Sequence, residues 1–249
     1  MQLNELEIYL NQLLDIGHFR DYCPNGLQVE GRSEVHQLVS GVTASFEFLQ
    51  AAIEAGADAV IVHHGYFWRG EDPCIIGMKR RRISHLLAHD VGLLAYHLPL
   101  DAHPELGNNA QLGQKLGFTE TGRFGEQGIA MQGTLLSGIS SLRDLRMNIE
   151  CRVSRKPLVI GHDDGLVRRV AWCTGAAQDY FDEAIRLGVD AFITGEISER
   201  MVHASRESGV AFISAGHHAT ERYGIQALGE HISRKFSITH QFIDVDSPV

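Results

Sequence analysis

Two adjacent histidines close an apolar run, Ala59-Val60-Ile61-Val62-His63-His64-Gly65. Val60 to Val62 reads as a buried strand, and such a strand has no use for two imidazoles unless they meet something polar where it ends. Successive strand side chains point to opposite sides. His63 and His64 would therefore not easily chelate one ion together, and each is expected to hold a different ion of a close pair. A second cluster, His217-His218-Ala219-Thr220-Glu221, follows the apolar run Val210-Ala211-Phe212-Ile213. His217 and Glu221 are spaced i, i+4 and share one face of a helix. Between the clusters stand His97, Asp101 and His103, around Leu98-Pro99-Leu100.

Imidazole and carboxylate without thiolate suit Zn, Fe, Mn, Ni or Co. The expectation is two divalent metal ions per chain, with Glu221 bridging them and Asp101 completing the anionic complement. Two ions roughly 3.5–4 Å apart hold a water and bring its pKa toward neutrality, which makes a nucleophile for hydrolysis. His97, His103 and Glu196 are candidates for general acid/base work or for holding a ligand in place. His218 is expected to support the site rather than ligate, because His217 has the better spacing to Glu221. The plain alternatives are a helix cap or a structural carbonyl for the histidine pair, and a turn or cap for Asp101. Asn108-Asn109 fits a substrate contact or a helix cap equally well. The sequence has no Walker A loop, no GxSxG and no GxGxxG after a strand, and no cysteine beside an obvious base.

The elements that must position these residues recur along the chain. Val39-Ser40-Gly41-Val42-Thr43 resembles Val170-Ala171-Trp172-Cys173-Thr174, and Gly56-Ala57-Asp58-Ala59 resembles Gly188-Val189-Asp190-Ala191. Thr43 and Thr174, like Leu27 and Leu158, stand 131 residues apart, and Asp58 and Asp190 stand 132 apart. Each unit reads helix, strand, strand, helix, strand, helix, strand. Leu3, Leu6, Leu10, Leu13 and Leu14 mark the first helix, and Phe48, Leu49, Ala52 and Ile53 the next. Gly56 and Gly188 fit helix C-terminal caps, and Asn25-Gly26 a turn. Alternating strands and helices predict parallel strands in a layered α/β fold. The expectation is two similar layered α/β domains from an internal duplication, 1–125 and 126–249, joined in the Gly-rich stretch from Gly122 to Gly138. Ligands gather beyond the carboxyl ends of such strands, which would bring the clusters to one cleft between the domains.

Composition limits the partners. The 249 residues are 44% hydrophobic and 21% charged, with net charge −9, as in a soluble globular protein. The acidic balance argues against a large phosphate-tracking surface. One basic run, Lys79-Arg80-Arg81-Arg82, could meet a phosphate, but a solvated helix start is its simpler reading. Cys23, Cys74, Cys151 and Cys173 form no CxxC, which fits free thiols in a reducing compartment. The segment from Met1 to Asp15 lacks a signal peptide's basic start and apolar centre, and no run is long enough to span a membrane. A cytoplasmic location without membrane partners is expected.

Taken together, Asn25-Gly26-Leu27-Gln28-Val29, Val62-His63-His64-Gly65, Leu100-Asp101-Ala102-His103-Pro104 with Gly107-Asn108-Asn109, Thr194-Gly195-Glu196 and Gly216-His217-His218-Ala219-Thr220-Glu221 resemble the YbgI-like family. It is also called NGG-one-interacting-factor-three-like, and its members GTP cyclohydrolase I type 2 homologues. The resemblance runs from about Leu3 to Val245. It implies two α/β domains with a dinuclear metal site between them, with ligands at His63, His64, Asp101, His217 and Glu221. It also implies a toroidal homohexamer and a metal-dependent hydrolase that opens a nucleotide or related heterocycle. The competing reading is a ring-shaped interaction protein without catalysis, docking nucleic acid through Lys79 to Arg82.

Overall fold

Leu3, Leu6 and Leu10 recur at three- and four-residue steps and form the buried face of α1 (Leu3–Leu13). The computed structural model describes residues 1–249, and the chain divides into two units. The first is Met1–Gly107 with Gly224–Val245, the second Asn108–Tyr223 with Asp246–Val249. After α1 the first unit runs β1 (Gly26–Val29), β2 (Gln37–Thr43), α2 (Phe46–Glu54), β3 (Ala59–His64), α3 (Gly77–His89), β4 (Gly92–Ala95) and α4 (Leu98–Ala102). Its sheet has the order β1-β4-β3-β2-β11, where β11 is Thr239–Phe242.

Alternation along the central strands feeds two cores, as expected of a sheet covered on both faces. Leu38, Val42, Ile61 and Leu94 pack with Leu3, Leu6 and Leu10, and with Ile225, Leu228 and Ile232. Val39, Val60, Val62 and Leu93 pack on the other side with Phe48, Leu49 and Leu86. Ser45 caps α2 by accepting from the Phe48 N–H at 3.1 Å. Gly56 follows α2 with φ +79° and Gly188 stands at φ +69°, the left-handed conformation that lets the chain leave a helix and enter a strand.

The second unit runs α5 (Asn108–Leu116), β5 (Phe118–Phe124), β6 (Ala130–Leu135), α6 (Leu142–Val153), β7 (Leu158–Ile160), β8 (Arg169–Trp172), α7 (Phe181–Arg186), β9 (Ala191–Thr194), α8 (Glu199–Ser208) and β10 (Ala211–Ser214). The helix α9 (His217–Phe236) starts in this unit and belongs to the first from Gly224 onward. The sheet order is β5-β6-β8-β9-β10-β7. Leu112, Met131, Leu145, Ile149, Trp172 and Ile193 share its core.

Both sheets are mixed, which corrects the expectation of parallel strands. Parallel pairing holds along β4-β3-β2-β11 and β8-β9-β10. β1, β5, β6 and β7 run antiparallel to their neighbours. The connection from β5 to β6 is too short for a crossover, so only antiparallel pairing can close it.

One polar device occurs in each unit. Asp58 Oδ2 accepts the backbone N–H groups of His36 and Gln37 at 2.8 and 2.9 Å. Asp190 Oδ2 accepts those of Arg168 and Arg169 at 2.8 and 2.9 Å. The backbones match as well. Asp58 N–H donates to Gln37 O and its carbonyl accepts from Gly92 N–H, while Asp190 N–H donates to Arg169 O and its carbonyl accepts from Ala211 N–H. Each aspartate thus pins the starts of three neighbouring strands.

Candidate metal centre

In the first unit the strand ends deliver the histidines. His63, the penultimate residue of β3, is fully buried. Its Nδ1 lies 3.0 Å from the Tyr96 carbonyl oxygen. A carbonyl only accepts, so Nδ1 carries the proton and Nε2 presents its lone pair. That lone pair lies 3.4 Å from Asp101 Oδ1, in α4, where Asp101 is 5% exposed. Two acceptors face each other there, an arrangement that needs a cation or a proton between them. Ligand bonds of roughly 2.1 Å put two ligand atoms about 3.0–3.4 Å apart, so the spacing fits a shared metal ion. His64 ends β3, with Nδ1 3.1 Å from Thr43 Oγ1. Strand alternation leaves it less buried than His63, yet the two rings are 4.5 Å apart.

His97 joins them from the cap position of α4, two residues past β4, its ring 5.1 Å from that of His63. One ligand atom each of His63, His64 and His97 lies within 4.8 Å of the others, so these three residues can hold a metal ion. His97 Nδ1 is 2.7 Å from Asp21 Oδ1. Asp21 Oδ2 accepts from the Leu98 N–H and from Asn25 Nδ2, both at 2.9 Å. Burial alone would raise the pKa of Asp21, but its hydrogen bonds and the charge of His97 pull it down to about 2. An ionised Asp21 fixes the His97 proton on Nδ1 and leaves Nε2 as acceptor.

In the second unit the first turn of α9 carries His217 and Glu221 on one face, as their spacing predicts. His217 Nδ1 is 2.7 Å from Glu196 Oε1 and its Nε2 is 3.1 Å from Glu221 Oε2. A carboxylate–imidazole–carboxylate chain results, again with facing acceptors once one proton is placed. Burial opposes charge on this ring, but Glu221 and then Glu196, by hydrogen bond and charge, raise His217 to about 9. Glycines make the room. A Cβ on Gly175, at φ +69°, would stand 2.1 Å from Glu221 Oε1, and one on Gly195 would stand 2.6 Å from His217 Cα. Gly175 N–H is held by Thr220 Oγ1 at 3.1 Å.

Residues 1–248, all but the last of the chain, match the model of the Duf34/NIF3 (NGG1p interacting factor 3) family. The chain belongs to this family. It is 53% identical over 242 residues to a Pseudomonas aeruginosa protein named GTP cyclohydrolase 1 type 2 homolog, covering 96% of this chain and 95% of that one. It is 52% identical over 250 residues to the protein of the same name from Escherichia coli K12, covering all of both. The solved structure of protein ybgI, described as of unknown function, superposes with a TM-score of 0.95 at 50% identity over the full length of both chains. The mixed α/β architecture with two sheets is the fold of these family structures.

Other candidates of the sequence find different surroundings. His103 Nδ1 accepts the N–H groups of Glu105 and Leu106 at 3.2 and 3.0 Å, at the end of α4, outside the group of His63, His64 and His97. Asn109 works inside the second unit. Its Oδ1 accepts the Thr174 N–H at 2.8 Å and its Nδ2 donates to Ile129 O at 3.0 Å. The basic run begins α3. Lys79 is engaged by Glu71 and the Asp72 carbonyl, and Arg81 lies over the Phe46 ring.

Asp21 and Tyr96 escaped the sequence reading, and Asn25 entered it only as a turn and motif residue, because nothing local ties a loop residue to a histidine 76 positions later. The reading that no cysteine stands beside a base is corrected. Cys23 joins Asp21 and His97 in a group with ligand atoms within 4.8 Å. Burial and the Asp21 charge push its thiol up to about 12, so it stays protonated. No helix is long and apolar enough to cross a membrane.

Proposed function

We propose that this chain is a dinuclear metal-binding protein that hydrolyses a nucleotide or related heterocycle. His63, His64, Asp101, His217 and Glu221 would hold a shared pair of divalent ions, drawn from zinc, iron, manganese, nickel and cobalt. The two units would be copies of one α/β module, with a homohexamer as the assembled form. The observation that carries the metal reading is the repeated pairing of an imidazole Nε2 with a carboxylate oxygen, at 3.4 Å for His63–Asp101 and 3.1 Å for His217–Glu221. In each case Nδ1 is committed to another acceptor. The matching Asp58 and Asp190 devices support the duplication, and the names of the relatives support the substrate class.

The bound ions would acidify a water and polarise the bond to be opened. Glu196 orients His217 and strengthens it as a donor, as carboxylate partners of ligating histidines do. Asp21 holds His97 with Nε2 ready to take a proton, and ionised Asp21 stabilises the imidazolium that forms. Gly175 and Gly195 keep side chains away from Glu221 and His217.

The test is elemental mass spectrometry of the protein purified without added metal, beside a His64→Ala, Glu221→Ala double variant, with GTP turnover measured on both. About two ions per chain, lost in the variant together with turnover, is the expected result. A wild-type chain that stays empty after reloading with each metal ends the proposal.

A further inference from the structure

The Asp58 and Asp190 devices share their backbone hydrogen bonds but differ in what meets the second carboxylate oxygen. In the first unit Arg32 fills the space. Its Nη1 donates to Asp58 Oδ1 at 2.9 Å, its Nη2 to the His89 carbonyl at 3.0 Å and its Nε to the Asp90 carbonyl at 3.2 Å. His89 and Asp90 are the last residue and the left-handed cap of α3. Their counterparts are Ser208 and Gly209, the last residue and left-handed cap of α8. Gly31 precedes Arg32 and packs on the Gly92 backbone, while Gly161 precedes His162 and packs on Ala211. His162 therefore stands where Arg32 would be. It is exposed, and no side chain of the unit takes up Asp190 Oδ1 or the carbonyls of Ser208 and Gly209. The corresponding space is a cavity of about 570 Å³, whose walls include Asp190, Gly209, His162, Leu142, Val159 and Val167.

From this internal template we infer that the second unit binds a guanidinium group carried on an aliphatic stem. The cavity wall offers the Asp190 carboxylate and Gly209 at a helix C-terminus, where the helix dipole favours a cation. A planar, forked donor suits that set better than an ammonium. Leu142, Val159 and Val167 offer the stem an apolar wall, and the volume is in the range of small-molecule sites. The guanidinium arrives either on a free small molecule or on an arginine of a protein partner. Arg206, which also lines the cavity, favours a ligand that carries a carboxylate beyond its stem.

Calorimetric titration of the full chain with L-arginine, agmatine, a capped Gly-Arg-Gly peptide and L-lysine tests the inference, with carbonyl ¹³C shifts followed at Ser208 and Gly209. Saturable binding of the guanidinium ligands is expected, with lysine weaker and shifts at those two carbonyls. Asp190→Asn keeps an oxygen for the Arg168 and Arg169 N–H groups while replacing Oδ1 by a donor, and should weaken binding about tenfold or more. His162→Arg should supply the group internally, block the free ligands and raise the melting temperature. Tighter binding of free arginine assigns a small molecule, and tighter binding of the peptide assigns a protein partner. Absence of saturable guanidinium binding to the wild type, or unchanged affinity in both variants, overturns the inference.

Discussion

In the metal-free chain His217 should make stability fall as pH rises. The ring sits between Glu196 and Glu221, with 26% of its side chain exposed. Burial disfavours its charge, but the two carboxylates outweigh burial and raise its pKa from 6.5 to about 9. A folded-state pKa above the unfolded one means that the folded chain binds the proton more tightly. The stabilisation is complete below the unfolded value of about 6.5 and is lost as pH climbs through about 9. At ~1.4 kcal/mol per pKa unit, the shift corresponds to roughly 2–4 kcal/mol, a large part of an ordinary domain's stability. The assay is urea denaturation of chelator-treated protein between about pH 6 and pH 10, with the Glu221→Gln variant in parallel. The wild type should lose that amount across the window, and the variant should show a shallower profile. Reloaded wild-type protein should also be shallower, because a ligated ring no longer gains or loses the proton. A wild-type profile as flat as that of Glu221→Gln would refute the reasoning.

Three further outcomes follow from geometry. Asp58→Ala strands two backbone N–H groups and Arg32, and chemical denaturation should show a loss of about 2–4 kcal/mol. Gly175→Ala places a Cβ against Glu221 at a left-handed residue. It should lower metal content as well as melting temperature, the backbone alone costing about 1 kcal/mol. Asp21→Asn leaves His97 without its anionic partner, so the ¹⁵N spectrum of His97 should show a changed tautomer balance. Turnover should fall by about 10²-fold or more, with metal content retained.

The strand-end histidines were legible because imidazoles after a run of β-branched residues conflict with burial. The His217–Glu221 pair was legible because its spacing matches a helical turn. Glu196, which holds His217, was among the candidates, but the residues that support His63 and His97 were not. Tyr96 acts on His63 through a backbone carbonyl, which leaves no trace in side-chain identity, and Asp21 sits in an irregular loop. Sheet order was hidden for a related reason. A four-residue strand such as β1 carries no sign of its direction, and β11 finds β2 across a separation on the order of two hundred residues, where Ser40 meets His240. In the ladders Leu38 faces Ala59 and Val170 faces Ala191, so the ladder position that corresponds to Val170 is held by Leu38, one residue before the Val39 of the sequence match.

The first unit is interrupted in the chain by nearly all of the second, since β11 and the later part of α9 come after Tyr223. During synthesis the amino-terminal segment must therefore wait for its last sheet strand and for the Ile225, Leu228 and Ile232 side of its core. Until then β2 is an edge strand with unpaired backbone groups, open to pairing with another nascent chain. The inserted unit carries its own six-stranded sheet and can complete it first. Vectorial folding usually favours the amino-terminal domain. This chain order favours the reverse, with the nascent chain open to misassembly until β11 can pair with β2.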